Sequence, residues 1–532
     1  MNNEAKKTMV TGEDARKQLQ AGVDAVANIV KTTMGPRGKV VVFNRGAGPI
    51  FSLDGITVAK QVELSDEAQN DGAQLAISAA RDTDKQAGDG TTCATVLVQS
   101  LFSQGMKALS VGIDHTKLIK GMEEAKDFVK AEVRKVAKQI KAKEDIKNVA
   151  TISSRDEEVG EKIAELYYKL GKEAVITVEE SKTLGVHTEI VEGIEIESGF
   201  IAPHFMTNIE RGEAILEDAY ILCTSQVIST NQDMAKVLEA VLRERKPLLV
   251  IAEDVRGEAL ATMVINKLQG RLLSVAVKAP GMGDNKREQI EDIAVLTGGV
   301  YLTEETSMRT DDAELAQLGR AERIVVAKDK TIIIGGKGKK KDITDRISFI
   351  EQSAEKETAE YLKEMKERRA AKLKGGIAVM RVGTVSLEEN MEKRYRVEDA
   401  VRSAKSAMEE GVVQGAGMAL FSISKMLEKR IAKEMDLAIR TGLDIVCQAI
   451  KEPARQIIKN TNENADVILS RCEGEKGWDS STGEYCDLAE RGILDPAKVV
   501  RCALENAISA VKMFLSTEAV IFYEAPPEKN EK

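Results

Sequence analysis

The chain of 532 residues is poor in several residue types, and each shortage excludes a class of protein. Aromatic residues make up only 4% of the composition, with a single Trp. Proteins that stack the bases of single-stranded nucleic acid carry more aromatic surface, and a net charge of -9 gives a polyanion no general attraction. No nucleic-acid partner is expected. The six cysteines (Cys93, Cys223, Cys447, Cys472, Cys486, Cys502) include no C-x-x-C pair, so neither a disulfide framework nor a structural zinc site is supported. The three histidines, His115, His187 and His204, are far apart in sequence, which gives a Ser-His-Asp triad no support. There is no G-x-x-x-x-G-K-[ST] loop, no G-x-G-x-x-G and no H-E-x-x-H. No apolar run reaches the length of a membrane span, and the opening MNNEAKKTMVTGEDARKQL lacks the apolar core of a secretory signal. A cytoplasmic protein with no membrane partner is expected. An organelle matrix stays open, because a cleaved transit peptide leaves no trace.

What is present fits a large, soluble, multidomain chain. Hydrophobic residues are 43% and charged residues 31%, and the length suggests about three domains. Leu19, Val23, Val26 and Val30 recur at helical spacing within residues 13–31, and GPRG (35–38) stops that helix before the strand KVVVF (39–43). A long amphipathic helix is expected over 116–140. In the middle, strand and helix alternate: KPLLVIAED (246–254), a helix over 257–270, LLSVAVKAP (272–280), a helix over 287–299, and VYLTEE (300–305). That order predicts a small parallel α/β domain. VEGIEIESGF (191–200) and KGGIAV (374–379) are candidate boundaries or hinges, and from Glu398 the chain is helical again. The two helical ends can pack as one domain around an inserted α/β middle.

The loop AGDGTTCATVLV (87–98) is the first candidate site. Gly90, Thr91, Thr92 and Cys93 sit at a predicted helix N-terminus, whose free N–H groups attract phosphate, and Asp89 suits a magnesium ion bridging to a nucleotide. An Asp/Thr helix cap without ligand is an equal reading. TTMGPRG (32–38) and LDGITVAK (53–60) read as turns more readily than as sites. VEDAVRSA places Glu398 and Asp399 at an expected helix start. VVQGAGMAL (412–420) is a Gly-Ala-Gly turn that either hugs a ligand or lets helices pack, and GILDPAKV (492–499) sets Asp495 before a proline. Apolar residues wrap most of the 257–270 helix, which is either sandwiched in a core or partly an exposed binding face.

In this order TTMGPRGKVVV, DGITVAK, AGDGTTCATVL, GKEAVITVEE, KPLLVIAEDVRGEALATMVIN, VKAPGMGD, RVEDAV, EEGVVQGAGMAL and GILDPAKV resemble the group I chaperonins, the GroEL family, over about residues 10–523. The resemblance implies a multidomain α and α/β subunit. It implies a helical equatorial domain (1–135 and 410–525), a hinge-like intermediate domain (136–191 and 376–409), an α/β apical domain (192–375) and a disordered tail (526–532). It further implies a homo-oligomeric ring, heptameric, single or double, that captures non-native proteins and folds them in an ATP-driven chamber under a co-chaperonin lid. A diverged bacterial copy in the cytoplasm, or a phage-encoded one in the host cytoplasm, fits this pattern.

By the same resemblance, nucleotide contacts fall on Thr33, Met34, Gly35, Pro36, Leu53, Asp54, Asp89, Gly90, Thr91, Thr92, Cys93, Gly415, Ala416, Asp479, Ser480, Ser481 and Asp495. Asp89 matches the Mg2+ ligand, Thr33 and Thr92 flank a K+ position, Asp399 matches the residue that directs the attacking water, and Asp54 a second carboxylate near the γ-phosphate. Substrate and lid contacts fall on Phe200, Ala202, His204, Phe205, Ala235, Leu238, Leu260, Val264 and Ile265. The sequence departs from the family at Cys93 (a threonine), Leu53 (a lysine), Ala416 (a glycine) and Asp479-Ser480-Ser481 (Asn-Ala-Ala), and it lacks the Gly-Gly-Met ending. The rival readings are a non-hydrolysing ring scaffold or holdase derived from a chaperonin, and an unrelated ATP-dependent transferase.

Overall fold

The computed structural model describes residues 7–523 except 45–48, 173, 182, 210, 282, 304, 306, 307, 358 and 475. The expected tail at 526–532 lies outside the described residues. Two compact units emerge, one comprising Met1–Tyr168, Val178–Val186 and Arg381–Lys532, the other Lys169–Thr177 and His187–Met380. The chain changes unit just before VEGIEIESGF and just after KGGIAV, next to the expected hinges.

The first unit is helical. Its main helices are α1 (Gly12–Val30), α2 (Glu67–Ala87), α3 (Thr91–Ser110), α4 (His115–Val136), α5 (Lys143–Ser154), α6 (Leu387–Glu410), α7 (Met418–Ile431), α8 (Leu437–Ala449) and α9 (Ala497–Ser516). In α3, Ala94, Leu97, Val98, Leu101 and Phe102 are buried at helical spacing, so one face enters the core. Phe102 stacks on Phe514 of α9 with ring centroids 4.7 Å apart, joining the two ends of the sequence in one core. Burying each ring is worth about 1.5–3 kcal/mol. Strands Lys7–Thr11 and Ala519–Tyr523 pair antiparallel and tie the ends again. α1 and α2 cross closely: a Cβ on Gly22 would lie 1.8 Å from the Gln69 carbonyl oxygen. Only glycine allows that approach.

Two expectations for this unit need correction. The helix expected over 116–140 ends at Val136, because Lys138 leaves the helix to exchange backbone hydrogen bonds with Val412, each 2.8 Å. Tertiary strand pairing overrides the apolar periodicity that continues to Ile140. Asp399 lies in the middle of α6, not at a helix start. The helix begins a dozen residues earlier, where the Ser386 side chain accepts a hydrogen bond from the Glu389 amide at 3.2 Å.

The second unit is built on a sheet of β1 (Gly193–Ile196), β2 (Ala214–Thr224), β3 (Leu248–Ala252), β4 (Ser274–Lys278), β5 (Tyr301–Leu302), β6 (Gly319–Val326) and β7 (Thr331–Gly336). The order is β4-β3-β2-β6-β7-β1, with β5 beside β2. β4, β3, β2 and β5 run parallel, as the alternating pattern predicts, whereas β6, β7 and β1 add antiparallel pairings. The sheet is therefore mixed, not the small parallel one expected. All five residues of β3 are buried, the composition of a strand covered on both faces.

Candidate active site

A cavity of about 710 Å³ opens within the first unit, a volume suited to a drug-sized or nucleotide-sized ligand. Segments distant in sequence supply its polar wall, four of them carrying the carboxylates Asp54, Asp89, Asp399 and Asp495. Gly90 ends the turn after α2 with φ +86 and starts α3, so the N–H groups of Thr91, Thr92 and Cys93 have no intrahelical acceptor. Asp54 caps the short helix Gly55–Ala59, accepting from the Ile56 amide at 3.3 Å and the Thr57 amide at 3.0 Å. Leu494–Pro496 pairs with Val412–Gln414 and puts Asp495 beside the first residues of α7 and α9. Asp399 comes from α6.

Of the residues assigned by resemblance, Thr33, Met34, Gly35, Pro36, Leu53, Asp54, Asp89, Gly90, Thr91, Thr92, Cys93, Asp399, Ala416, Asp479, Ser480, Ser481 and Asp495 all line this one cavity. Gly415 does not, although its neighbours Gln414, Ala416 and Gly417 do. Sequence reasoning missed Thr151, Ser153, Arg155 and Arg396. The first three sit at the end of α5, where no local motif marks them. Apolar walls come from Pro453, Ile457, Trp478, Ile493 and Val499, among others.

The electrostatics are set by crowded carboxylates. Burial, and next the charge of Asp54, push the Asp399 carboxyl well above the usual range; Asp89 adds to this and Arg402 opposes it. Arg402 Nη2 lies 2.6 Å from Asp399 and 3.4 Å from Asp84. Burial, then Asp89, raise Asp495 to about 7 against the pull of the Gly417 amide. Burial, then Asp495 and Asp89, push the Cys93 thiol up to about 12, which keeps it a neutral thiol and removes it as a nucleophile. Asp479 behaves oppositely: burial raises it, but donors from Ser481, Thr482 and Arg491 outweigh that and leave it low. Its oxygens accept from the Ser481 amide at 2.8 Å and Arg491 Nη1 at 3.1 Å.

This arrangement fits a nucleotide with a divalent ion. A Cβ on Gly55 would sit 2.2 Å from Thr92 Oγ1, so the two loops form a cradle that a side chain would fill. Arg155 and Arg396 belong to the same wall and bring cationic side chains to it, whereas the buried Thr151 hydroxyl packs against Gly160 of the neighbouring helix. Among the described residues no group of three His, Cys, Asp or Glu side chains could hold a metal alone. Asp89 would contribute one ligand, the nucleotide and water the rest, as is usual for magnesium. The potassium position fits less well. The Thr33 carbonyl already accepts from Arg155 Nη2 at 3.2 Å, and its hydroxyl donates to the Val30 carbonyl at 2.8 Å.

In the second unit, helix Gly257–Leu268 buries only Ala259 and Met263 fully. Leu260 and Val264 are half-buried and Ile265 is 51% exposed, which decides for a partly exposed face over a sandwiched helix. Leu238 and Ala202 rest half-buried against the core, as does Phe200, while His204 and Ala235 are exposed. Phe205 is the exception. It is fully buried in the sheet core, so its ring is not available at a surface, contrary to its assignment. Leu242 and Leu268, both exposed, extend the apolar faces one turn beyond Leu238 and Val264. No helix among the described residues is long and apolar enough to cross a membrane.

A helical unit closed by both chain ends, bearing a cavity of this chemistry, and an inserted unit on a mixed sheet together make a chaperonin fold. A family model described as the TCP-1/cpn60 chaperonin family matches residues 26–524, and the chain belongs to that family. Among solved structures it is similar to the chaperonin gp146 from the bacteriophage EL 2 (Pseudomonas aeruginosa), crystallised in the presence of ATP-BeFx. The likeness has a TM-score of 0.70 at 21% identity and covers 97% of this chain and 99% of that one.

Proposed function

We propose that this chaperonin is a group I-type ATPase that captures non-native proteins on the apolar faces of its second unit and folds them in a ring chamber. The observation that carries the reading is the meeting of Asp54, Asp89, Asp399 and the α3 N-terminus on one cavity in a chain of this family. The free amides of Thr91, Thr92 and Cys93 hold phosphate, and the hydroxyls of Thr91 and Thr92 add to them. Asp399 orients the attacking water and takes its proton, a role to which a carboxyl with a raised pKa is suited. Arg155 and Arg396 offset the charge of the carboxylates. When bound at Asp89, magnesium supplies charge neutralisation on the phosphate oxygens. The domain division is proposed as equatorial 1–135 and 410–525, intermediate 136–191 and 376–409, and apical 192–375. The assembly is a homo-oligomeric ring, heptameric, working with a co-chaperonin lid in the cytoplasm of a bacterium or of a phage-infected host.

The half-exposed leucines and valines of the second unit suit a binder of unfolded chains, because apolar burial is non-directional and tolerates any sequence. Two assays test the proposal together. Magnesium-dependent ATP hydrolysis is expected, and capture of a denatured protein is expected to weaken in Leu238→Ser, Val264→Ser and Leu268→Ser. Capture without turnover would favour a non-hydrolysing holdase, and turnover with undiminished capture in all three variants would move the binding face elsewhere.

A further inference from the structure

Serine in a helix usually returns its hydroxyl to the carbonyl one turn back. This chain does so elsewhere: Ser154 donates to the Ala150 carbonyl at 2.7 Å, and Thr95 to that of Thr91 at 2.9 Å. Ser403, only 1% exposed in α6, does not. Its hydroxyl donates to Asp89 Oδ2 at 2.7 Å. From α5, the Ser153 hydroxyl donates to the same oxygen at 3.1 Å. The other oxygen, Oδ1, accepts the Gly90 amide at 2.5 Å. An ionised carboxylate has about four lone-pair sites. Two on Oδ2 are taken by serine hydroxyls and one on Oδ1 by an amide, so the free site is on Oδ1.

Ser403 also belongs to a polar stripe. Asp399, Arg402, Ser403 and Ser406 recur at i, i+3, i+4 and i+7 on α6. Arg402 reaches Asp84, Ser403 reaches Asp89, and the Ser406 hydroxyl donates to the Ala87 carbonyl at 2.8 Å. Gly88 lies under the stripe, where a Cβ would meet Arg402 Cβ at 2.2 Å. The helix that carries Asp399 is thus fastened, residue by residue, to the segment that carries Asp89.

Resting on the reading of Asp89 as the metal-facing carboxylate, we infer that Ser403 and Ser153 are positioning residues that hold Asp89 so that Oδ1 alone faces the ion. The Ser403 hydroxyl also fastens α6 to the segment that carries Asp89.

The test uses the full chain and three variants, Ser403→Ala, Ser153→Ala and the double replacement. Manganese affinity is measured by electron paramagnetic resonance with saturating ADP, ADP affinity is measured in EDTA, and hydrogen exchange of α6 is followed in the nucleotide-free protein. Removing an outer partner of a metal ligand typically costs about 10-fold in affinity, and each single variant is expected to lose about that for manganese. ADP affinity in EDTA should not change in Ser403→Ala, whose side chain lies outside the cavity lining. Exchange of α6 should accelerate in Ser403→Ala but not in Ser153→Ala, which supplies its hydroxyl from another helix. Should Ser403→Ala fail to fold, Ser153→Ala still carries the metal prediction. Unchanged manganese affinity in the variants, or an equal loss of ADP affinity in EDTA in Ser403→Ala, overturns the inference. A wild type that binds ADP without any metal dependence removes the reading of Asp89 itself, and is told apart by failing before any variant is made.

Discussion

Ala416 adopts φ +56, a left-handed conformation that costs a residue with a Cβ about 1 kcal/mol. It sits in the cavity wall between Gly415 and the helix-starting Gly417. Ala416→Gly is expected to stabilise the protein by about 0.5–1 kcal/mol in thermal melts. Asp495 gives a pH-dependent counterpart. Its folded pKa of about 7 lies above the unfolded carboxylate value, so the native state holds the proton longer. Stability contributed by this site therefore falls as pH rises from about 4 to about 7 and is flat above that. Asp495→Asn keeps an acceptor for the Gly417 amide and should stabilise the nucleotide-free protein at pH 8 by on the order of 1–3 kcal/mol, with the gain shrinking toward pH 4. A gain of equal size at both pH values would refute the shift.

At the scale of elements, α6 decides how the site works. Its placement was not legible in the sequence. VEDAVRSA offers acidic residues at an apparent helix start, yet the helix begins at the Ser386 cap and carries Asp399 through its middle. Local patterning sees charges but not the turn of helix they stand on. Arg402 and Ser403 went unnoticed for the same reason, since their partners Asp84 and Asp89 are joined to them only by packing of α6 against the end of α2. Gly88 is the hinge of that packing, with φ +74 and no room for a Cβ against Arg402. Gly88→Ala is expected to cost about 2–3 kcal/mol of stability and to lower turnover more than nucleotide affinity, measured by melting and steady-state kinetics. The glycine loops 35–38 and 88–93 were legible as turns, because short Gly-rich stretches next to a periodic helix leave a mark in any sequence, but the first read as an ordinary turn and only the family resemblance put it at the site. Thr151, Ser153 and Arg155 left none, as they are ordinary residues at a helix end that only tertiary packing brings to the cavity.

At the scale of the whole molecule, the helical–α/β–helical order was readable and the discontinuous first unit follows from it. The antiparallel half of the second unit's sheet was not, because β6 and β7 lie in a stretch whose hairpin turn, AKDK, carries no glycine signal. The chemistry is held together by the same long-range economy. Loops from both chain ends meet around one cavity, which gathers Asp54, Asp89, Asp399 and Asp495, and the proposed hydrolysis assigns Asp399 to act on water. The direct test separates nucleotide binding from hydrolysis in Asp399→Ala, using a fluorescent ATP analogue for affinity and single-turnover hydrolysis for chemistry. Hydrolysis is predicted to fall by about 100-fold or more with affinity nearly unchanged. Wild-type hydrolysis in the variant, or parallel loss of binding and turnover, would contradict the account.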